Sequence, residues 1–381
     1  MTATDVAARG LGRWAVLTWL STATGGAERS VVELAQALAG QGWKVAVVWW
    51  DTTNGTQLPI VGGGVDLHRV TRWPAYRAVL AEVLARTPTV VITTHRTAGL
   101  DIPLARACGA CVIAVLRAVL VPDGRLRMVD PTSGALVGRR PADVEGSVWA
   151  GADCWVGVSA TATRSLEQVV PWSVCRVTIY NGVPLEAPPL RPRGTTVRAG
   201  VVARLELWKR LDRILAALAQ LPATLRERVR LDIYGEGPQR AALLSAAERF
   251  GIARCVSLHG HRGDWRARGL DVLVCASPDE AFGRAIVEAG LAGIPAIVPA
   301  QGGSAELVLP GITGLHFEPD DPSRLASALA TVAGWDSATA TRFALAARAH
   351  ARRFDIRSCA ATYAALATDL LTQRSRRHPA A

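Results

Sequence analysis

The sequence predicts an α/β fold made of two doubly wound parallel-sheet domains. Three observations point there. The chain has 381 residues, against roughly 100–200 per domain. Short apolar runs alternate with stretches of helical periodicity, the rhythm of a parallel sheet with crossover helices. Midway, Pro184, Pro188, Pro189, Pro192 and Gly194 interrupt that rhythm, and it then restarts, so this stretch reads as an interdomain linker.

In the first half, Trp14–Leu20 reads as a buried strand, followed by a Ser/Thr/Gly loop containing Gly25-Gly26. A helix follows at Ala27–Ala39, with Val31, Leu34, Ala35 and Leu38 at helical spacing. Lys44–Trp50, Thr89–Thr93 and Val112–Leu116 are further strands. Asp123-Gly124 and Ser133-Gly134 are turn signals beside Leu126–Val129 and Ala135–Val137, read as a hairpin or flap. In the second half the expected strands are Ala199–Ala203, Leu231–Tyr234, Val256–Leu258, Leu270–Cys275 and Ile294–Val298. Helices are expected at Leu211–Leu221, Arg284–Ala292, Pro322–Val332, Ala338–Arg353 and Arg357–Leu371. The domains are set at 1–188 and 189–371, with terminal helices that can pack back on the first. Residues 372–381 are read as a frayed, basic tail.

Composition excludes several classes. Half the residues are apolar and 20% are charged, unlike a disordered or fibrous chain. No apolar run reaches the roughly 20 residues of a membrane span; Trp14–Leu20 and Cys108–Leu116 are short, and Arg117 closes the second. The N-terminal stretch has no secretion-signal pattern. Seven scattered cysteines do not suggest a disulfide framework, and the lone Cys108-x-x-Cys111 sits in an apolar run that reads as core rather than metal or redox chemistry. A cytoplasmic protein is expected, with peripheral contact at the inner membrane face left open. The net charge is +11, yet only Lys44 and Lys209 of the 43 basic residues are lysines. That Arg skew reads as the base composition of a GC-rich genome as much as function. No nucleic-acid module stands out, so nucleic acid is not an expected partner; anionic small ligands or an anionic membrane surface are left open as partners.

The segment Glu280-Ala281-Phe282-Gly283-Arg284-Ala285-Ile286-Val287-Glu288 carries two carboxylates eight residues apart. Glu280 falls in the loop after a strand and Glu288 in the following helix. In open α/β sheets ligands gather at the carboxyl ends of strands, and first-turn amides of a helix bind anions. By spacing alone, a ligand site and a pair of solvated surface carboxylates stand equal.

Glu280–Glu288, followed by Ala289-Gly290-Leu291-Ala292-Gly293-Ile294-Pro295, resembles the E-x7-E motif of retaining glycosyltransferases of family 4. Five further segments are similar to that family in order and spacing. They are Gly25-Gly26-Ala27-Glu28-Arg29; Asn181-Gly182-Val183; Arg204-Leu205 with Lys209; Gly235-Glu236-Gly237-Pro238; and Gly302-Gly303 with Glu306, Gly311 and Gly314. The resemblance covers most of the chain. It implies the GT-B fold, in which two Rossmann-like domains face each other across a cleft.

The resemblance also implies roles. As the glycosidic bond of a nucleotide-sugar donor breaks, charge grows on the β-phosphate. Arg204 can hold phosphate oxygens with a planar fork and Lys209 can add a point charge. Gly25 and Gly26 let backbone amides approach the diphosphate. Glu288 is implied to contact the ribose, Glu280 with the Ala281, Phe282 and Gly283 backbone to face the sugar, and Gly260 to Arg262 to lie by the base. The family is retaining and metal-independent, so no metal or other cofactor is expected, and Glu280 is not assigned as a nucleophile.

One position departs from the pattern. Many members have a His near the sugar after an N-terminal-domain strand; here Ala114-Val115-Leu116 leads to Arg117. His95, after the preceding strand, is the other pocket candidate, as a catalytic or acceptor residue, and Arg117 can instead hold an anionic acceptor or the phosphate. The acceptor is expected to be a hydroxyl of a cell-envelope glycan, a glycolipid or a small natural product. The 117–140 loops, with Trp49, Trp50 and Trp73, are available to hold it. UDP is favoured over GDP. A sugar-nucleotide epimerase or hydrolase and a catalytically silent sugar-nucleotide-binding protein are the competing readings. A pyridoxal-phosphate phosphorylase is disfavoured because Lys209 is already committed, and G-x-G-x-x-G is absent.

Overall fold

The computed structural model describes residues 14–377, apart from 22–24, 53–63, 87–89, 122–125, 131–135 and 192. The chain divides into two compact units, one of Met1–Pro184 with Ile356–Ala381, the other of Leu185–Asp355.

The first unit begins with β1 (Trp14–Ser21), α1 (Gly26–Gly40), β2 (Lys44–Asp51), β3 (Val65–Val70), α2 (Trp73–Arg86), β4 (Val90–Thr94), α3 (Ala98–Ala107) and β5 (Cys111–Leu116). The pair β6 (Leu126–Val129) and β7 (Leu136–Arg139) follows, then α4 (Gly146–Ala150), β8 (Cys154–Gly157), α5 (Ala160–Leu166) and β9 (Cys175–Thr178). Seven strands form one parallel sheet in the order β3-β2-β1-β4-β5-β8-β9. Because β2, β4, β5 and β8 are buried along their whole described length or nearly so, they read as continuous apolar runs rather than alternating ones. The expected hairpin is the antiparallel pair β6–β7.

The second unit has β10 (Val197–Val202), α6 (Leu211–Ala219), α7 (Ala223–Arg226), β11 (Val229–Tyr234), α8 (Arg240–Arg249), β12 (Val256–Gly260), β13 (Val272–Val274), α9 (Arg284–Leu291), β14 (Ala296–Pro299), α10 (Gly302–Ala305), β15 (Gly314–Phe317), α11 (Pro322–Ala333) and α12 (Ser337–Ala351). Its six strands are parallel, ordered β12-β11-β10-β13-β14-β15. Val197, Ala199 and Val201 on β10 alternate with residues on the other face, and they pack with Leu231 and Ile233 against Leu211, Leu215 and Leu329. In both sheets the strand order reverses at one point, between β1 and β4 and between β10 and β13, where Rossmann-like sheets bind ligands.

Two boundaries differ from the sequence reading. The division falls at Pro184/Leu185 where the reading set 188/189, and the final helix α13 (Ile356–Arg377) groups with the first unit, the packing back that the reading left open for the terminal helices. It is held there by polar contacts. Ile356 N donates to Val183 O (3.1 Å), Gln41 Nε2 to Arg357 O (2.9 Å) and Arg374 Nη1 to Ala110 O (2.9 Å). The frayed tail assigned to 372–381 is helical through Arg377, since the Arg374 anchor extends the ordered helix; residues 378–381 lie outside the described residues.

Candidate functional site

The second unit gathers candidates at its switch point. β10 ends at Val202, and a 3-10 turn over Leu207–Lys209 follows Arg204 and the fully buried Leu205. Two glycines fasten this segment. Gly235 sits at φ +148°, and a Cβ there would lie 1.8 Å from Ala203 O; one on Gly237 would lie 2.6 Å from Leu205 O. Leu205 N in turn donates to Glu236 O (2.9 Å). The Gly-Glu-Gly segment is therefore a backbone strap across the stretch that carries Arg204, and a side chain at Gly235 has no room.

From the neighbouring strand β13 the chain runs through Cys275 and the buried Ser277 to Glu280. Gly303 N donates to Glu280 O (2.7 Å). Gly302, at φ +76°, would place a Cβ 2.3 Å from Pro278 O. The Gly302-Gly303 step thus clamps the Glu280 loop from below.

Across the switch point, Lys209 Nζ lies 2.5 Å from Glu280 Oε2, both side chains about 15% exposed (16% and 15%). The Lys209 ammonium also sits over the Trp208 ring, 3.9 Å from its centroid. Arg204 is exposed, its Nη1 3.6 Å from Glu206 Oε1. Burial pushes the Cys275 thiol up to about 11, with Glu280 adding to the effect, so this half-buried cysteine stays a neutral thiol.

Past Glu280, Ala281 and Phe282 are buried, Phe282 edge-on to Phe354 (5.8 Å). Gly283, at φ +87°, precedes α9, and its carbonyl accepts from Ile286 N (2.8 Å) in the first turn, at the positive end of the helix dipole. Glu288 is 4% exposed, and its Oε1 accepts from Arg284 Nε at 2.7 Å, one turn back on the same helix. Sequence reasoning gave Arg284 no role, although i,i+4 spacing was a signal for the pair. Gly260 ends β12, where its carbonyl accepts from Gly235 N (2.8 Å); Arg262 is exposed beyond it.

In the first unit, Gly25 and Gly26 open α1 at the carboxyl end of β1. Glu28, buried, already places a carboxylate in that first turn, its Oε2 3.1 Å from where a Cβ on Gly25 would be. His95 follows β4 and Arg117 follows β5, and the structure joins them. Arg117 N donates to His95 Nδ1 (3.4 Å), which puts the His95 proton on Nε2. Burial, reinforced by Arg96 and Arg117, lowers the His95 pKa to about 3, so the ring is neutral at physiological pH. Arg117 Nη1 donates to Asn181 Oδ1 (2.9 Å), and its guanidinium lies 5.7 Å from the Trp19 ring centre. The Asn181-Gly182 step thus has two jobs. Asn181 orients Arg117, while Gly182 lets α13 pass, since a Cβ there would lie 2.4 Å from Ile356 Cα.

Trp50, Trp73 and Tyr76 form an aromatic cluster at the ends of β2 and β3, with Trp50 4.9 Å from Trp73. Behind it Asp101, wholly buried, accepts from Thr18 Oγ1 (2.6 Å), Thr93 Oγ1 (2.6 Å) and Tyr76 OH (2.9 Å), a polar knot tying β1, β4, α2 and α3. Among the described residues, no group of three or more His, Cys, Asp or Glu could hold a metal ion. No described helix is long and apolar enough to cross a membrane.

Comparison with known proteins agrees with this architecture. Residues 187–348, nearly all of the second unit, match the family model described as glycosyl transferases group 1. A glycogen synthase of Mycobacterium tuberculosis is 32% identical over 224 residues, covering 57% of this chain and 53% of that one. A D-inositol 3-phosphate glycosyltransferase of Streptomyces griseus is 32% identical over 190 residues, 47% of this chain and 40% of that one. The chain thus spans about half the length, or less, of the curated relatives it matches. Among solved structures, Anabaena HepE in complex with UDP and glucose superposes with a TM-score of 0.72 at 19% identity, over 94% of this chain and all of that one. Sucrose-phosphate synthase from Thermosynechococcus elongatus gives 0.73 at 19% identity, over 95% and 100%. The fold is that of the GT-B glycosyltransferases.

Proposed function

We propose that the chain is a glycosyltransferase that takes a sugar from a nucleoside-diphosphate donor held at the β10–β13 switch point of the second unit. The observation that carries the reading is the Lys209–Glu280 pair at that point, beside the N-terminus of α9. A half-buried ammonium, an exposed guanidinium and the positive N-terminal end of α9 suit a diphosphate whose charge grows as the leaving group departs. Without donor, Glu280 neutralises Lys209. A β-phosphate competing for the ammonium would release the carboxylate to accept from sugar hydroxyls, so one exchange readies both groups. Glu288, kept in place by Arg284, is the ribose acceptor in this reading, and the backbone from Gly260 to Arg262 faces the base.

Transfer proceeds with retention and without a metal, because cations and amides supply the electrophilic assistance. UDP is the favoured nucleotide, in line with the UDP found in the HepE complexes. His95 and Arg117 are the acceptor residues, the acceptor being a hydroxyl of a cell-envelope glycan, a glycolipid or a small natural product. His95, with its proton on Nε2 and its Nδ1 occupied, is a hydrogen-bond donor there rather than a general base. In this reading the reaction takes place in the cytoplasm, and anionic lipid is a docking surface for the basic chain. Incubation with UDP-, GDP- and ADP-sugars and an acceptor panel, with and without EDTA, tests this. Sugar-bearing product and free nucleoside diphosphate in EDTA support the reading; donor turnover with no acceptor present would move it to a hydrolase or epimerase.

A further inference from the structure

The first unit holds a pair of cysteines that the transfer reading does not use. Cys154 opens β8 and Cys175 opens β9, the edge strand of the seven-stranded sheet, and the two residues are direct partners in the parallel register. Their sulfurs lie 2.8 Å apart. The environments are unequal, for Cys154 is fully buried whereas Cys175 is exposed. Paired strands bring Cα atoms to about 4.8 Å, inside the 4.4–6.8 Å span of disulfides. Closing the bond therefore asks for a small movement of two sulfurs and no change of register.

We propose that Cys154 and Cys175 are an oxidisable dithiol, a modification site at which a peroxide closes a reversible disulfide across the sheet edge. Exposure makes Cys175 the sulfur that meets the oxidant. Its thiolate attacks one oxygen of hydrogen peroxide, the O–O bond breaks and hydroxide leaves, giving a sulfenic acid. Cys154 then attacks the Cys175 sulfur, the S–O bond breaks and a second hydroxide leaves. The two thiol protons neutralise both hydroxides, so two thiols and one peroxide give one disulfide and two waters. Burial and the neighbouring thiol hold Cys154 protonated in the resting state, which suits a resolving partner rather than the first nucleophile.

The bridge would act on a defined stretch. It closes a loop containing α5, and it pins the start of β9, beyond which the chain runs on to Asn181, the residue that orients Arg117. In the reduced protein the far end of β9 is tied to α5 by the Thr163–Thr178 hydroxyl contact (2.7 Å). Oxidation would add a covalent tie at the near end, so the edge strand opens less often.

The test uses the full chain treated with a slight excess of hydrogen peroxide, then alkylated and digested without reductant. The expected result is a fall from seven titratable thiols to five, a linked peptide pair containing Cys154 and Cys175, recovery of all seven with dithiothreitol, and slower amide exchange across 175–181. The Cys175→Ser variant should lose the linked pair, and Cys154→Ala should instead accumulate a sulfenic acid on Cys175 that dimedone traps. Seven persisting thiols, over-oxidation of Cys175 without a bridge, a Cys108–Cys111 link or dimers joined through Cys175 would each overturn the proposal. None of these readouts depends on sugar transfer.

Discussion

Lys209 and Glu280 come from loops 71 residues apart in sequence, and their Nζ and Oε2 atoms lie 2.5 Å apart at the switch point of the second sheet. Adjacent strands β10 and β13 bring them together, and two glycine-dependent backbone clamps, at Gly235 and at Gly302, hold the segments that carry them. The pair therefore reports on the preorganisation of the whole site.

Removing the ammonium should cost rate and leave folding nearly intact. Lys209→Ala is expected to lower kcat by about 10²–10³, the usual loss for one preorganised electrostatic partner. Lys209→Arg should restore charge but little rate, because a planar fork does not fit a place built for a point charge. Steady-state kinetics with circular dichroism checks both.

Arg284→Met should destabilise the second unit. Both Arg284 and Glu288 are buried, and truncating one member of a buried ion pair leaves the other charge poorly compensated, at about 3–5 kcal/mol. Urea unfolding followed by intrinsic fluorescence reads this, and the double variant Arg284→Met/Glu288→Leu should recover much of the loss while remaining inactive. An active double variant contradicts the ribose role of Glu288.

Much of this was legible in the sequence. Strands β1, β2, β4 and β5 and helices α1, α9 and α11 stand out because their apolar runs and periodicity have one reading; the glycine segments at Gly235 and Gly302 stood out by resemblance, while their role as clamps needs the backbone contacts of the folded chain. Helices α2 and α3 were missed, as was β3, which is half-buried at the sheet edge and lacks a continuous apolar run. The bond from Arg117 to Asn181 and the Cys154–Cys175 contact were also hidden, since each joins residues whose proximity only strand order reveals. The domain boundary is displaced by a few residues for a related reason. Prolines mark where the backbone breaks, whereas the unit to which α13 belongs is decided by where its buried face, including Ala360 and Tyr363, finds partners.

His95 should stay neutral across the physiological range. Its folded pKa of about 3 lies below the ordinary value near 6.5, so the unfolded chain binds the extra proton between these limits. The stability it contributes is complete above about pH 6.5 and is lost as pH falls toward 3. Nitrogen NMR of the ring should show no titration from pH 5 to 8 and a neutral Nε2–H tautomer. The pH dependence of unfolding in His95→Asn should be flatter than in the wild type over pH 3–6.5.

Gly182→Ala should loosen the last helix. The added Cβ meets the Ile356 backbone at 2.4 Å, and backbone cannot rotate away as a side chain can. Faster proteolysis within 356–377 is expected, with the second unit unchanged. Unaltered cleavage would show that α13 is not seated by this contact.

The central claim, that the second unit holds a nucleoside-diphosphate sugar through Lys209, is tested most directly by thermal shift with UDP, GDP, ADP, TDP and their sugar conjugates on the wild type and Lys209→Ala. A ligand at 100 times its Kd stabilises the fold by about 2.7 kcal/mol, a readily measured shift. The account predicts a clear rise in Tm with one nucleotide family, greatest for the uridine compounds, and its loss in the variant. No shift with any nucleotide, or an equal shift in the variant, would contradict it.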